Sequence, residues 1–450
     1  MVALSAAGLE AMATRSAPGL PGAESLSWYR AIPPLALFGG DLLVRPWLRD
    51  VVPHVEEAEI TAEPVQRGGH VTHERADAQR TLRRAEHALG QRRFDEAETL
   101  LRRLMEYPET DLPKRAPAVL WVALAAQDRA HEALALIHAS GHPHGVVAYV
   151  YWCAGLFRPT SIVEGYRMFT EGDYADKQSW ALQAIERGEV TVAEGWTNNL
   201  SRYPATQPSE QQNDQLIRAD YAFLTGDLQK AAALLRSPFD SQAAPDQLDD
   251  YAASALRFDT LSALVDIARG DRARGSSVAS AWRPEIGRTT EPEMSARVSA
   301  FHAFTLGLLQ ADAQDPTGAV MWFEQARSHI TFWSRTGLDR RSLHRAALAV
   351  DLAAAILDPA PADPIGAARR LAERTVQLLG TTAEDFIARV LAVVAHRELA
   401  RRLAEQGHEE ATAEAHRALD LARPLAGRGV PAWEEMLRAT ERDAHTPSMR

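Results

Sequence analysis

The most constraining feature of the sequence is a recurring pair of small residues, twelve positions apart. Two antiparallel helices can cross closely only where the side chain is as small as Gly, Ala or Ser, because larger groups overpack the crossing at a cost of ~1–3 kcal/mol. The spacing therefore predicts a series of helical hairpins. Five pairs follow it strictly and a sixth, Ala400/Thr412, less so: Ala85/Ala97, Ala181/Ala193, Ala219/Ala231, Ala263/Gly275 and Gly307/Ala319.

A turn signal accompanies these pairs. Five residues before the second small residue there is often a glycine or a polar residue, and glycine suits the left-handed conformation at a helix C-terminus. Prolines then follow several second helices and mark exits to the next unit, since proline cannot continue a helix interior. The clearest turn glycines are Gly188, Gly226, Gly270 and Gly407, and the exit prolines are Pro108, Pro204 and Pro424.

The composition agrees with an all-α fold. Hydrophobic residues make up 46% of the chain and charged residues 24%, as in folded proteins. Aromatic residues are sparse at 7%. Ala, Leu, Arg and Glu dominate, and these are strong helix formers. We therefore expect helices nearly throughout.

The chain resembles the tetratricopeptide repeat (TPR) family over roughly residues 75–425. The stretch ALGQRRFDEAETLLRRLMEYPE carries Phe94, Ala97, Leu101 and Pro108 at the matching places. The resemblance implies a right-handed α-α superhelical solenoid of TPR-like hairpins with a non-repeat N-terminal cap. Successive second-helix anchors lie farther apart than the ~34 residues usual in that family. The alternative is an ordinary alanine-rich helical bundle in which the spacings arise by chance.

We divide the chain into four parts. Residues 1–25 are expected to be disordered, 26–73 to form a non-repeat cap or docking segment, and 74–426 to form about eight hairpins. Residues 427–450 are expected to hold a C-terminal helix and a frayed tail. The apolar run at 26–60 either covers the first repeats as a cap or docks another subunit, with aromatic anchors at Trp28, Tyr29, Phe38 and Trp47.

Charge and hydropathy exclude several partners. The net charge of −11 offers no basic stripe for phosphates, so we predict no nucleic-acid partner. No apolar stretch approaches the ~20 residues that span a bilayer, which predicts no membrane association. Cys153 is the only cysteine, which is compatible with a reducing compartment, and the N-terminus lacks signal-peptide features. We expect a cytoplasmic protein.

No motif predicts chemistry. The histidines at 131, 138, 142 and 144 lie around Gly141 and Pro143, which break the helix that a metal site would need. The sequence contains neither a GxxxxGK[ST] phosphate loop nor a GxSxG elbow. We predict no catalytic residue, no cofactor and no metal, and hence not an enzyme. Trp322 and Phe323 are expected in the core, while the charged neighbours of Trp333 leave open a partly exposed anchor there.

In TPR arrays the first helices line a concave groove, and the resemblance places a partner-binding groove on that face. We predict a scaffold that binds a protein or peptide, as an adaptor or signal-sensing module of a bacterial regulatory system. The alternatives are an accessory subunit of a biosynthetic or defence complex and an unrecognised helical enzyme. The oligomeric state is left open, with a homodimer as one option. The groove residues are Gln79, Glu86, Asn213, Asp220, Phe223, Arg257, Phe301, Phe304, Arg397 and Arg401.

Overall fold

The structure is a computed structural model, and it places nearly all the residues it describes in helices and none in a β-strand. This agrees with the predicted all-α class. It describes residues 23–38, 73–90, 93–106, 112–127, 129–140, 174–202, 208–236, 248–271, 273, 275, 292–336, 340–358, 361–380 and 385–445.

Seventeen α-helices and two 3-10 helices, Ala23–Ala31 and Arg423–Leu425, make up the described part of the chain. The α-helices are Pro34–Phe38 (α1), His73–Gly90 (α2), Phe94–Met105 (α3), Leu112–Ala126 (α4), Ala130–Ser140 (α5), Tyr174–Glu186 (α6), Val190–Arg202 (α7), Pro208–Leu224 (α8), Leu228–Leu235 (α9), Leu248–Ala268 (α10), Pro292–Asp312 (α11), Pro316–Thr336 (α12), Arg340–Leu357 (α13), Pro364–Gly380 (α14), Phe386–Glu405 (α15), Glu410–Ala422 (α16) and Pro431–His445 (α17).

From α2 onward, helices pack in consecutive pairs that short turns connect. The members of the five strict twelve-residue pairs are all buried. A Cβ built on Gly275 would lie 3.1 Å from the carbonyl oxygen of Ala263, its partner in the pair, and one on Gly307 would lie 2.4 Å from the Phe323 ring. The crossings therefore require the small residues. In the sixth pair, Thr412 is half-buried and its neighbour Ala411 packs in the core instead.

The four predicted turn glycines all have a positive φ, between 63° and 83°. At the first of these turns, the Glu189 N–H reaches back to the Ala184 carbonyl at 3.0 Å and closes the end of α6. The turn between α11 and α12 has the same geometry, but Gln314 stands at the glycine position with φ 62°. The turn signal in the sequence is thus confirmed where glycine carries it, and one turn is formed without glycine.

The helices form two layers of different character. First helices of successive pairs contact one another, as α6 contacts α8, α8 contacts α10 and α10 contacts α11. Many are buried on almost every side: in α15 residues 390–396 are buried without interruption. Second helices such as α16 bury one stripe, Ala411, Ala415, Ala418, Leu419 and Ala422, and expose the other side.

Helices far apart in the sequence meet across this arrangement. Arg345 in α13 forms ion pairs with Glu186 at the end of α6 and with Asp385 just before α15. A Cβ on Gly188 would lie 2.2 Å from the ring of Trp433 in α17. The chain therefore returns on itself, so that α6 lies against the helices near its C-terminal end.

Residues 23–38, called here the N-terminal segment, lie on the layer of first helices. Its 3-10 helix contacts α8, α11, α13, α15 and α17, and α1 contacts α6, α8, α11 and α13. We call the side of the first helices that carries it the inner face. This location differs from the predicted packing on the first repeats. Ala23–Ser25, expected to be disordered, begin the 3-10 helix, while residues 1–22 and 39–72 lie outside the described residues.

None of the described helices is long and apolar enough to cross a lipid bilayer.

Candidate functional site

The N-terminal segment is held almost entirely inside the protein. Its large apolar side chains are at most 8% exposed, from Leu26 at 1% to Tyr29 at 8%. Only Ser27 and Arg30 among residues 26–38 point to solvent. The segment therefore packs its apolar side chains against the inner face and exposes only a narrow polar edge.

Aromatic rings carry much of this contact. Phe38 stacks on Phe301 of α11, with ring centroids 5.2 Å apart and planes at 15°, and it also meets Phe304 at 5.3 Å. Trp28 lies 6.4 Å from Phe304, and Tyr29 stacks on Phe223 of α8 at 6.5 Å. Offset and tilted pairs at these distances add about 0.5–1.5 kcal/mol each beyond the area they bury. The segment is thus anchored by aromatic pairs with two first helices.

A polar contact fixes the direction of α1. Asp220 of α8 is fully buried, and its Oδ1 accepts the Leu35 N–H at 3.1 Å. The N–H groups of the first turn of any helix lack partners within the helix, so a carboxyl oxygen from another element can cap them. Pro34 at the first position has no N–H to satisfy. The carboxyl group therefore binds the backbone of the segment and not its side chains.

Burial raises the pKa of the Asp220 carboxyl to about 8. The N–H groups of Leu35 and Ala36 favour the charged form and oppose this shift, while the nearby charge of Glu186 adds to it. Near neutral pH the contact consequently involves a largely protonated acid. Ionisation of Asp220 would place a negative charge in an apolar surrounding.

The C-terminal helix closes over the middle of the segment, where its 3-10 helix ends. Trp433 of α17 donates its indole N–H to the Ala31 carbonyl at 2.7 Å, in a buried contact between residues 402 positions apart. The same ring stacks on Phe386 of α15 with centroids 5.5 Å apart and planes at 18°. The guanidinium of Arg428 lies over the Phe386 ring, 4.0 Å from its centre. The segment is therefore held at both Ala31 and Leu35 by backbone hydrogen bonds.

A buried ion-pair network supports the inner face. The side chains of Arg345, Glu186 and Asp385 are 0% exposed, and the Arg345 Nε donates to Asp385 at 2.9 Å. Asp385 also caps α15 by accepting the Ala388 N–H at 2.9 Å. Because these charged groups bind one another and a helix end, the cluster has the character of a structural ion pair.

Four of the predicted groove residues come together under the N-terminal segment. Asp220 and Phe223 meet it from α8, and Phe301 and Phe304 meet it from α11. All four are buried. In the structure these four residues line a contact surface that part of the same chain covers. Whether it also receives a partner stays a prediction.

The other predicted groove residues take no part in the contacts described above. Gln79 and Glu86 lie on α2, where Glu86 is buried, and Asn213 is half-buried on α8. Arg257 is 4% exposed on α10. Arg397 forms an ion pair with Asp443 of α17 at 2.7 Å, and Arg401 binds Glu398 and Glu405 of its own helix.

Several residues of the site were not predicted. The contacts of Trp433 with Ala31 and of Arg345 with Glu186 join residues far apart in the sequence, where no local pattern indicates a contact. Trp333 is fully buried, with the Arg297 guanidinium 4.4 Å from its ring centre, so an exposed anchor there is wrong. The cation that meets this ring comes from α11 and is not one of the sequence neighbours of Trp333.

The described residues contain no group of three or more His, Cys, Asp and Glu side chains placed to hold a metal ion. His142, His144 and Cys153 lie outside them. No protein-family model, no curated protein and no solved structure matches this chain.

Proposed function

We propose that this chain is a TPR-like superhelical scaffold that binds a protein or peptide segment along its inner face. In this proposal it serves as an adaptor or signal-sensing module of a bacterial regulatory system and works in the cytoplasm. The observation that carries the proposal is the N-terminal segment itself, which is a peptide of 16 residues seated on the first helices. It is held by aromatic pairs and by two hydrogen bonds to its backbone.

These contacts are of the kind that peptide recognition uses. Hydrogen bonds to main-chain groups give affinity for any suitable backbone, and apolar pockets select the side chains. Asp220 and Trp433 supply the first kind of contact, and Phe223, Phe301 and Phe304 the second. The accessory-subunit alternative needed residues 26–60 to project from the array. Their described part, 26–38, is buried, which does not favour it.

The test is capture of partners from a native-host lysate with two matched variants. The inner-face variant combines Phe301→Leu and Phe304→Leu, which keeps the side chains apolar. The outer variant combines Met321→Ala and Phe332→Ala, which are 62% and 48% exposed on α12. We expect a protein or peptide bound by the wild type and the outer variant to be lost from the inner-face variant. Loss from the outer variant alone would place binding elsewhere, and no capture by the wild type would refute the scaffold function.

A further inference from the structure

We infer that the N-terminal segment is an internal competitor, which a partner displaces with a segment of the same chemistry. That chemistry is a pair of adjacent aromatic residues followed, within about ten positions, by a proline that begins a short apolar helical turn. The inference rests on the proposed function, since it specifies the partner and the regulation of the same inner face.

The first support is the separateness of the two parts. Five of the helix pairs are held by their own crossings at small residues, and from α6 onward helices of successive pairs contact one another directly. The segment contributes to neither set of contacts. It touches the first helices through its aromatic and aliphatic side chains, which lie in the same buried core, and through two of its backbone groups. Removal of the segment would therefore expose the inner face and leave the pairing of the helices in place.

The second support is that the segment fits imperfectly. Within the described part of the chain, the buried indole N–H of Trp28 meets no acceptor. An apolar gap remains between the segment and the array, lined by Trp28, Phe38, Leu264 and Phe301 among others. Asp220 has to be buried to receive α1. An unpaired buried donor and a water-sized gap both weaken docking, which lowers the affinity that a competing segment has to exceed.

Access to the inner face depends on opening of the segment. Ser27 and Arg30 are exposed, but the other residues of 26–38 are buried against the first helices. A competitor therefore binds the molecules from which the internal segment has opened. The apparent dissociation constant for the competitor is then the intrinsic constant divided by the fraction of molecules whose inner face is free.

The experiment uses the full-length protein and a fluorescein-labelled synthetic peptide of residues 23–38. Phe38→Ala weakens the docking of the internal segment alone, and Ser27→Ala changes an exposed residue of the same segment as a matched control. We expect the peptide to bind Phe38→Ala at least tenfold more tightly than it binds the wild type or Ser27→Ala. A peptide of the same composition in scrambled order should not bind. Equal binding to all three proteins would overturn the inference.

A second measurement needs no substitution. Hydrogen exchange of the wild-type protein, followed by mass spectrometry, compares residues 26–38 with residues 390–396 of α15. We expect the segment to exchange at least tenfold faster, through an opening that leaves α15 protected. Exchange of both at one rate would show that the segment leaves only when the whole protein unfolds, and would overturn the inference. A partner that the wild type still captures in that case must bind beside the docked segment, which would keep the scaffold function and rule out displacement. Opening of the segment with no captured partner would instead refute the scaffold function.

Discussion

At the scale of single residues, several turns between helices need one residue with a positive φ. Each of the four glycines chosen from the sequence lies in the left-handed region, because the need for positive φ is local and glycine meets it without a steric cost. Gln314 meets the same need with a side chain, at a cost that glycine would avoid. The turn pattern in the sequence allows either a glycine or a polar residue at this position, so it does not predict which residues carry the strain.

This difference predicts opposite effects of two substitutions. Gln314→Gly should raise the free energy of unfolding by about 1 kcal/mol, because it removes the strain of a left-handed non-glycine residue. Gly407→Ala should lower the free energy of unfolding by ~1–2 kcal/mol, because φ is 74° at this position. A Cβ here would meet no neighbouring atom, so the cost comes from the backbone alone. Urea unfolding of both variants measures the two values. A loss of stability in Gln314→Gly would show that its side chain contributes more than its backbone costs.

Asp220 predicts a pH dependence. With a folded pKa of about 8 against 3.8 for the free side chain, the folded state binds a proton that the unfolded state releases between these values. The contribution of this group to stability is therefore complete below pH 3.8 and is lost as pH rises to about 8. Asp220→Asn cannot ionise, and its side-chain oxygen can still accept the Leu35 N–H. The variant should flatten this slope, which approaches 1.4 kcal/mol per pH unit.

Unfolding in urea at pH 4.5, 6 and 8 checks this prediction. We expect wild type and Asp220→Asn to differ little at pH 4.5 and the variant to be the more stable at pH 8. A variant that keeps the wild-type slope would mean that Asp220 remains accessible to water, and that α1 is not docked as described.

At the scale of helices and segments, the sequence predicted what is local and missed what is distant. The twelve-residue pairs located the crossings because both members lie in one hairpin. The location of residues 23–38 depends on contacts with helices some 180 to 400 positions later, as with Asp220 and Trp433. One signal was present: residues 390–396 of α15 are apolar on most sides, and an open groove would have a polar wall.

The clamp at the C-terminal helix gives the prediction at this scale. Trp433→Phe keeps a ring against Phe386 but removes the indole N–H, so the buried Ala31 carbonyl loses its donor. An unpaired buried group costs ~1–3 kcal/mol, and we expect hydrogen exchange of residues 26–38 to accelerate by about five- to hundredfold. Trp322→Phe, a half-buried position on α12, is the control. Similar acceleration in both variants would contradict the clamp.

At the scale of the whole molecule, the chain returns on itself, so that α6 lies against the helices near the C-terminal end. Arg345 of α13 pairs with Glu186 at the end of α6, 159 positions earlier in the sequence. It also pairs with Asp385 at the start of α15, 40 positions later. Neither the charge pattern nor the repeat spacing indicates such a pairing, since ionic partners far apart in sequence leave no periodic trace.

Arg345→Met should consequently destabilise the entire fold. It leaves two buried carboxylates without their cation, and breaking a buried pair in this way typically costs ~3–5 kcal/mol. Arg374→Met removes a 45% exposed arginine from Asp351, and exposed pairs are worth ~0–1 kcal/mol. Thermal unfolding of both variants gives the comparison. A small effect of Arg345→Met would mean that the contact between α6 and α13 is held mainly by apolar packing.

In the proposed function, the inner face binds a polypeptide segment reversibly. The most direct test of this binding inserts a protease site within residues 61–69, cuts the purified full-length protein there, and follows the N-terminal fragment by gel filtration at falling concentration. We predict that the fragment co-elutes when concentrated, dissociates on dilution while the remainder keeps its helical circular dichroism, and is replaced by added peptide 23–38. Unfolding of the remainder as the fragment leaves would contradict the claim, because the segment would then be core and not ligand.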